Sequence, residues 1–195
     1  MMDMNFLEMF GTVVGLVYLW LEYRASIYLW IAGIIMPAIY IFVYYKAGLY
    51  ADFGINIYYL LASVYGWIAW KYQKKGQETT EKQESGIGHI PLRTLPILLL
   101  LFGVLFASIG FILVRYTDST VPWFDSFTTA LSVIALWMLA KKYVEQWLAW
   151  ILVDIVCCGL YFYKDLYFTA ILYGFYTVIA IFGFLKWKRL IKAEQ

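Results

Sequence analysis

Seven apolar runs, each long enough to cross a bilayer as a helix, are the feature that most restricts how this chain folds. A span needs about 20 apolar residues at about 1.5 Å of rise each. The chain is 64% hydrophobic and 14% charged, which is more apolar surface than a soluble domain of 195 residues can bury. We therefore predict an all-α integral membrane protein with seven transmembrane helices, over residues 6–21, 27–45, 51–72, 95–114, 122–140, 147–163 and 167–187.

Lysine and arginine are unevenly distributed between the two sides of the predicted bundle. When the loops and the adjoining ends of the spans are assigned alternately to the two sides, 12 of the 15 lysines and arginines lie on one side. Only Lys46, Arg115 and Lys164 lie on the other. Positive residues are retained on the cytoplasmic side of a membrane. The bias therefore predicts an N-terminus outside and a C-terminus in the cytoplasm. The acidic start of the first run lacks the lysines of a signal peptide, so we expect this run to be retained.

The sequence argues against nucleic-acid binding and catalysis. The net charge is only +2. Cys157 and Cys158 are neighbours inside an apolar run, a spacing typical of core packing rather than of a disulfide or a zinc site. The single histidine, His89, lies in a polar loop and is expected to be solvated. Without a nucleophile and base or paired carboxylates, we expect no enzyme, no metal and no cofactor.

Asp154 stands in the middle of the sixth run, between Trp147 and Tyr163. A carboxylate at the centre of a membrane helix costs about 2.5 to 3.5 kcal/mol, so it requires a partner or a role. Trp150 lies four residues earlier, on the same helical face. An indole and a carboxylate one turn apart form half of a site for a planar cation. The alternative is a structural hydrogen bond from Asp154 to a Tyr or Ser on a neighbouring helix.

The second and third spans resemble the sixth and seventh, which indicates an internal repeat. Trp30 aligns with Trp150 and, after a three-residue gap at the turn, one offset aligns the remaining pairs: Tyr59 with Tyr176, Gly66 with Gly183, Trp70 with Trp187, and Trp20 with Trp137. We predict a parallel repeat of three plus one plus three helices. The predicted divisions are a first three-helix unit over 1–72, a cytoplasmic loop over 73–94, a linker helix over 95–115, a second three-helix unit over 122–189 and a cytoplasmic tail over 190–195.

Two aromatic patterns resemble those of the bacterial PnuC-type vitamin transporters. One runs from Asn56-Ile-Tyr-Tyr-Leu through Tyr65-Gly-Trp to Trp70. The other consists of Glu145-Gln-Trp-Leu-Ala-Trp, Asp154, Leu160-Tyr161, Leu166-Tyr167 and Ala170. The resemblance covers nearly the whole chain. It implies a SWEET-like plan of seven spans, a plasma (inner) membrane location and homo-oligomerisation, since the family has a trimeric member.

The resemblance further implies uptake of an unphosphorylated B-type vitamin by facilitated diffusion, made one-way by a cytosolic kinase. Nicotinamide riboside and thiamine are flat cations that can stack on Trp150 and be neutralised by Asp154, whereas neutral riboflavin has less use for the carboxylate. Nicotinamide riboside is the expected substrate and thiamine is the alternative. A non-transporting membrane scaffold or receptor of the same fold is a further alternative.

Polar side chains elsewhere in the spans complete the predicted substrate site with Trp150 and Asp154. They suit a ribose or an amino-pyrimidine if their faces turn inward, and they are Asn56, Tyr59, Thr128, Ser132, Tyr173 and Tyr176. Asn56 equally suits a bridge between helices. For Tyr59 and Tyr176, the alternative is aromatic packing or anchoring at the membrane interface.

Overall fold

The structure, a computed structural model, describes residues 4–47, 50–76 and 86–194. This described chain forms a short 3₁₀ turn (Leu92–Thr94) and seven α-helices: α1 (Met4–Tyr23), α2 (Tyr28–Ala47), α3 (Tyr50–Gly76), α4 (Leu95–Tyr116), α5 (Pro122–Ala140), α6 (Gln146–Tyr163) and α7 (Tyr167–Glu194). Within the described residues, the four helices α4 to α7 are long and apolar enough to cross a membrane. The predicted all-α fold with seven helices is confirmed.

The helices begin and end close to the predicted spans, except at the C-terminal ends of α3 and α7. These two helices continue to Gly76 and Glu194, beyond their apolar stretches. Lysine, arginine and glutamine favour helix, so the basic segments do not stop it. In α7, Trp187 and Ile191 are buried while Lys188 is exposed, so the basic end is amphipathic.

The chain divides into two compact units, Met1–Ser85 and Gly86–Gln195. In the first unit, α2 packs mainly against α3 and more lightly against α1. In the second unit, α4 packs against α5, α5 against α6, and α6 against α7. The predicted linker helix α4 therefore groups with the last three helices. Its Leu98 joins a buried apolar cluster with residues of α5 and α6, namely Ile134, Ala135, Met138 and Ala149.

A tryptophan pair with the same geometry lies in each unit. Trp30 of α2 and Trp70 of α3 meet edge to face, with ring centroids 5.6 Å apart and planes at 87°. Trp147 of α6 and Trp187 of α7 meet at 5.7 Å and 88°. Each residue of the second pair follows its counterpart by 117 positions. Trp30 thus corresponds to Trp147, and the predicted alignment with Trp150 is wrong, because no gap at the turn is needed.

A glycine lies against one ring of each pair. A Cβ atom at Gly66 would lie 2.4 Å from the Trp30 ring, and a Cβ atom at Gly183 would lie 2.7 Å from the Trp147 ring. Both distances are shorter than real Cβ contacts. The close approach of the two helices in each unit therefore depends on the missing side chain.

The turns that follow α1 and α5 also share their geometry. Ala25 and Lys142 are left-handed, with φ of 50° and 56°. Each turn has the two crossed hydrogen bonds of a Schellman cap, at 2.9 and 2.9 Å after α1 and at 3.0 and 2.9 Å after α5. The two turns are again 117 positions apart.

Residues 86–91 form a strap that pairs with the turn between α5 and α6. The Gly88 amide donates to the Lys142 carbonyl at 3.1 Å, and the Gly88 carbonyl accepts from the Val144 amide at 3.0 Å. Ile87 is buried. The predicted loop over 73–94 is therefore structured after residue 85, while its residues 77–85 lie outside the described chain.

Side chains reinforce the strap. His89, which the sequence predicted to be solvated, is exposed, but its Nδ1 lies 2.7 Å from Oε1 of Glu145. The Ile90 amide donates to Oε2 of the same carboxylate at 3.0 Å. Glu145 stands immediately before α6 and therefore ties the strap to the start of that helix.

We expect Glu145→Gln to loosen the strap, because hydrogen bonds to a charged group contribute about 1.5 to 3 kcal/mol and a neutral amide weakens both. Hydrogen exchange at the Gly88 and Ile90 amides should become about tenfold faster, since local opening sets that rate. Asp165→Asn, at the opposite end of α6, is the matched control. Unchanged exchange in Glu145→Gln would mean that the backbone pairing alone holds the strap.

Candidate functional site

Asp154 is buried near the middle of α6, with 7% of its surface exposed. It is the ninth residue of an 18-residue helix, so it lies about 12 Å from the first residue along the helix axis. Among the described residues, no hydrogen bond reaches its carboxylate. The structural hydrogen bond to a neighbouring Tyr or Ser is therefore not formed within the described chain.

Two tyrosines of α7 interact electrostatically with this carboxylate. Asp154 lies within electrostatic range of the hydroxyls of Tyr173 and Tyr176. Those two rings pack tilted against each other at 5.5 Å and 64°. Tyr161 of α6 stacks on Tyr173 at 5.2 Å and 28° and shares a side-chain hydrogen bond with it. The arrangement places a negative charge within electrostatic range of two aromatic residues, which suits a flat cation.

Thr128 connects α5 to the part of α6 that carries Asp154. Its hydroxyl donates to the carbonyls of Phe124 and Asp125, both at 3.1 Å, and it also contacts the Cys157 thiol. Thr128 is buried, and Ser132, one turn further along α5, is half-buried. Asp154, Thr128, Tyr173 and Tyr176 therefore belong to one surface of the second unit, joined through Cys157, and Ser132 lies one turn from Thr128 on α5.

The indole of Trp150 occupies a different environment from the one the sequence predicted. It is partly buried and packs against the apolar cluster of Leu98, Ile134, Ala135, Met138 and Ala149. Its Nε1 is buried and has no hydrogen-bond partner in the described chain. Stacking of Trp150 on a cation beside Asp154 therefore stays a prediction, and the contact that the structure shows for this indole is with the apolar cluster.

Asn56 and Tyr59 lie on α3, in the first unit. Both are half-buried, and the Tyr59 ring lies 5.7 Å from that of Tyr58. Asn56 and Tyr59 precede Tyr173 and Tyr176 by the same 117 positions that separate the tryptophan pairs. The predicted repeat therefore pairs them with these two tyrosines.

Three residues of this surface were missed from the sequence: Cys157, Tyr161 and Asp125. Cys157 follows Asp154 by three positions and Tyr161 follows Cys157 by four, so all three share one face of α6, a signal that was available in the sequence. Asp125 stands in the first turn of α5, where the helix dipole favours a carboxylate in any protein, so the sequence carries no functional signal for it. In the structure, Ser119 Oγ donates to its Oδ2 at 2.7 Å, and Lys164 Nζ lies 3.9 Å from its Oδ1.

Comparison with known families decides what kind of protein carries this site. Residues 5–189 match the model of the nicotinamide mononucleotide transporter family. The chain belongs to this family. As a member of the nicotinamide mononucleotide transporter family it is a multi-pass inner-membrane transporter and not an enzyme, and the resemblance to PnuC-type proteins is confirmed.

Individual relatives of this family member are distant but cover most of its length. The nicotinamide riboside transporter PnuC of Escherichia coli is 24% identical over 95% of this chain and 86% of its own length. The riboflavin/roseoflavin transporter RibM of Streptomyces davaonensis is 23% identical over 92% of this chain and 83% of its own. A crystal structure of the vitamin B3 transporter PnuC has the same fold, with a TM-score of 0.67 at 20% identity over 94% of this chain and 81% of that one.

Proposed function

We propose that this transporter takes up nicotinamide riboside across the inner membrane. The observation that carries the proposal is the buried carboxylate of Asp154 within electrostatic range of Tyr173 and Tyr176, which suits a planar cation. The pyridinium of nicotinamide riboside is such a cation. Relatives from Escherichia coli, Neisseria mucosa and Haemophilus influenzae are named nicotinamide riboside transporters, which supports this substrate.

The proposed substrate is the riboside rather than a phosphorylated form. Asp125 and Asp154 both place negative charge near the thiol of Cys157, and a like charge beside them costs several kcal/mol in order of magnitude. The sequence has no glycine-rich loop for ATP, so facilitated diffusion is the simplest mechanism. Phosphorylation by a cytosolic kinase then converts the vitamin into a form that the site repels, which traps it inside.

The proposed site has the carboxylate and the tyrosines of the second unit at its centre. Asp154 neutralises the cation, while Tyr173 and Tyr176 supply aromatic faces. Thr128 and Ser132 of the same unit supply polar contacts to the ribose or amide. Trp150, and Asn56 and Tyr59 of the first unit, stay predicted substrate contacts.

For the whole chain we propose a SWEET-like parallel repeat of three plus one plus three helices. The constant offset of 117 positions between the tryptophan pairs, their glycines and the two Schellman turns supports the repeat. The distribution of lysine and arginine supports an outside N-terminus and a cytoplasmic C-terminus. A trimeric assembly is proposed on family resemblance alone.

Thiamine is the second candidate substrate, because its thiazolium is also a flat cation. One relative is named a riboflavin/roseoflavin transporter, so family membership alone does not determine which vitamin is the substrate. A scaffold or receptor that binds without transport is the remaining alternative.

The proposal is tested by titrating the purified protein with nicotinamide riboside, thiamine and riboflavin side by side. We expect nicotinamide riboside to bind at least tenfold more tightly than neutral riboflavin, a difference of about 1.4 kcal/mol that a single charge pair readily supplies. Tighter binding of thiamine would reassign the substrate. Tighter binding of riboflavin would overturn the cation site.

A further inference from the structure

We propose that Asp125 is a second carboxylate that the cation contacts on its way to Asp154, and that Lys164 competes with the cation for it. The proposal rests on the proposed function, because it takes the substrate to be a planar cation that enters from the outer face. Its basis is a row of side chains in the second unit that connects the two carboxylates.

The carboxylate of Asp125 is held in place but remains accessible. It lies in the first turn of α5, where Ser119 Oγ fixes Oδ2 at 2.7 Å. Lys164, immediately after α6, places Nζ 3.9 Å from Oδ1, at the long end of ion-pair distances. The Lys164 and Asp125 side chains are 33% and 34% exposed. An ion pair this long and this exposed is weak, so an arriving cation can replace the ammonium group.

Side chains of α6 connect Asp125 to Asp154. Cys157 lies within electrostatic range of both carboxylates, and Tyr161 lies within range of Asp125. Residues 154, 157 and 161 share one face of the helix because they are spaced three and four apart. The axial distance from Asp154 to Tyr161 is about 10 Å, since Tyr161 is seven positions further along the helix.

Aromatic rings line the interval between the two charges. Tyr161 stacks on Tyr173 at 5.2 Å, and Tyr173 in turn lies within electrostatic range of Asp154. A flat cation moving along this row therefore passes from one carboxylate, across two ring faces, to the other carboxylate. Passage is favoured by successive sites that bind strongly enough to admit a cation and weakly enough to release it.

Opposite roles follow for the two residues at the outer end. Asp125 raises the local concentration of cations, which increases the rate of entry. Lys164 offsets part of that charge and slows entry. A neutral vitamin gains nothing from either residue, so Asp125 determines specificity for charge at the entry step.

The test is initial uptake by purified full-length protein in vesicles, measured against the concentration of nicotinamide riboside and, separately, of riboflavin. The variants are Asp125→Asn and Lys164→Gln. Asp165→Asn is the matched control, because Asp165 is an exposed carboxylate at the same end of α6 that accepts from the Tyr167 hydroxyl at 2.8 Å. Its φ of 58° is one that asparagine also tolerates.

At low salt we expect KM for nicotinamide riboside to rise about tenfold in Asp125→Asn and to fall about threefold in Lys164→Gln, consistent with electrostatic steering. Asp165→Asn should match the wild type, and Vmax should change by less than about twofold in all three variants, because the inner site is untouched. The differences should shrink at about 1 M salt, where the Debye length is about 3 Å. KM for riboflavin should not move.

An unchanged KM in Asp125→Asn, or shifts in the same direction in both variants, overturns the proposal. If Asp125→Asn does not fold, Lys164→Gln decides, since an unchanged or higher KM contradicts competition. If the proposed function is wrong, the wild-type protein itself does not take up nicotinamide riboside. Failure of this inference alone leaves wild-type uptake and its dependence on Asp154 intact.

Discussion

Replacing Asp154 with asparagine is expected to weaken the binding of nicotinamide riboside about 30-fold or more. Leaving one member of a buried charge pair without its partner costs about 2 to 5 kcal/mol, and each 1.4 kcal/mol is a factor of ten in affinity. Asparagine keeps the size and shape of the side chain in α6, so the tyrosines beside it stay in place. Titration calorimetry on the purified variant measures the loss.

The same variant separates a charge role from a structural role. Burying an unpaired carboxylate is unfavourable, so we expect Asp154→Asn to unfold at the same temperature as the wild type or higher. Its affinity for neutral riboflavin should stay the same or increase. A lower unfolding temperature with unchanged affinity for nicotinamide riboside would instead give Asp154 a structural role and contradict the substrate contact.

Substituting alanine for Gly183 is expected to destabilise the second unit strongly. The new Cβ atom would lie 2.7 Å from the indole of Trp147, which is fully buried and packed edge to face on Trp187. Inserting a methyl group into such packing costs about 1 to 3 kcal/mol. We expect a clear drop in the unfolding temperature, measured by thermal denaturation in detergent.

Gly159→Ala is the matched control, because no atom lies within 4 Å of its added Cβ. Alanine favours helix over glycine by about 1 kcal/mol, so this variant should be at least as stable as the wild type. Gly66→Ala, whose Cβ would lie 2.4 Å from the Trp30 ring, should behave like Gly183→Ala. Equal unfolding temperatures for Gly183→Ala and Gly159→Ala would contradict the ring-on-glycine packing.

The helices were predictable because a membrane span must be long and apolar, and that requirement is visible in any window of the chain. The C-terminal ends of α3 and α7 were not predictable in this way, because basic residues that end a membrane span do not end a helix. The strap was also missed. Its burial of Ile87 and its bonds to Glu145 depend on the α5–α6 turn, which a local composition of glycine and charge does not reveal.

The centre of the candidate site was predictable from the cost of burying one carboxylate. The packing of the aromatic residues around it was not predictable. Trp147 and Trp150 are both conspicuous, and only the packing shows that Trp147 matches Trp30 and that Trp150 contacts the apolar cluster. The spacing within α6 places Tyr161 on the face of Asp154, but it does not show that Tyr161 stacks on Tyr173 of another helix.

The central claim, facilitated transport of nicotinamide riboside, is tested most directly by uptake of the labelled vitamin into vesicles that contain only the purified protein. Without ATP or any ion gradient, we predict saturable uptake that stops when the inside and outside concentrations are equal. An enclosed kinase with ATP should then convert equilibration into accumulation. Protein-independent uptake, or equilibration only when a proton gradient is imposed, would contradict the account.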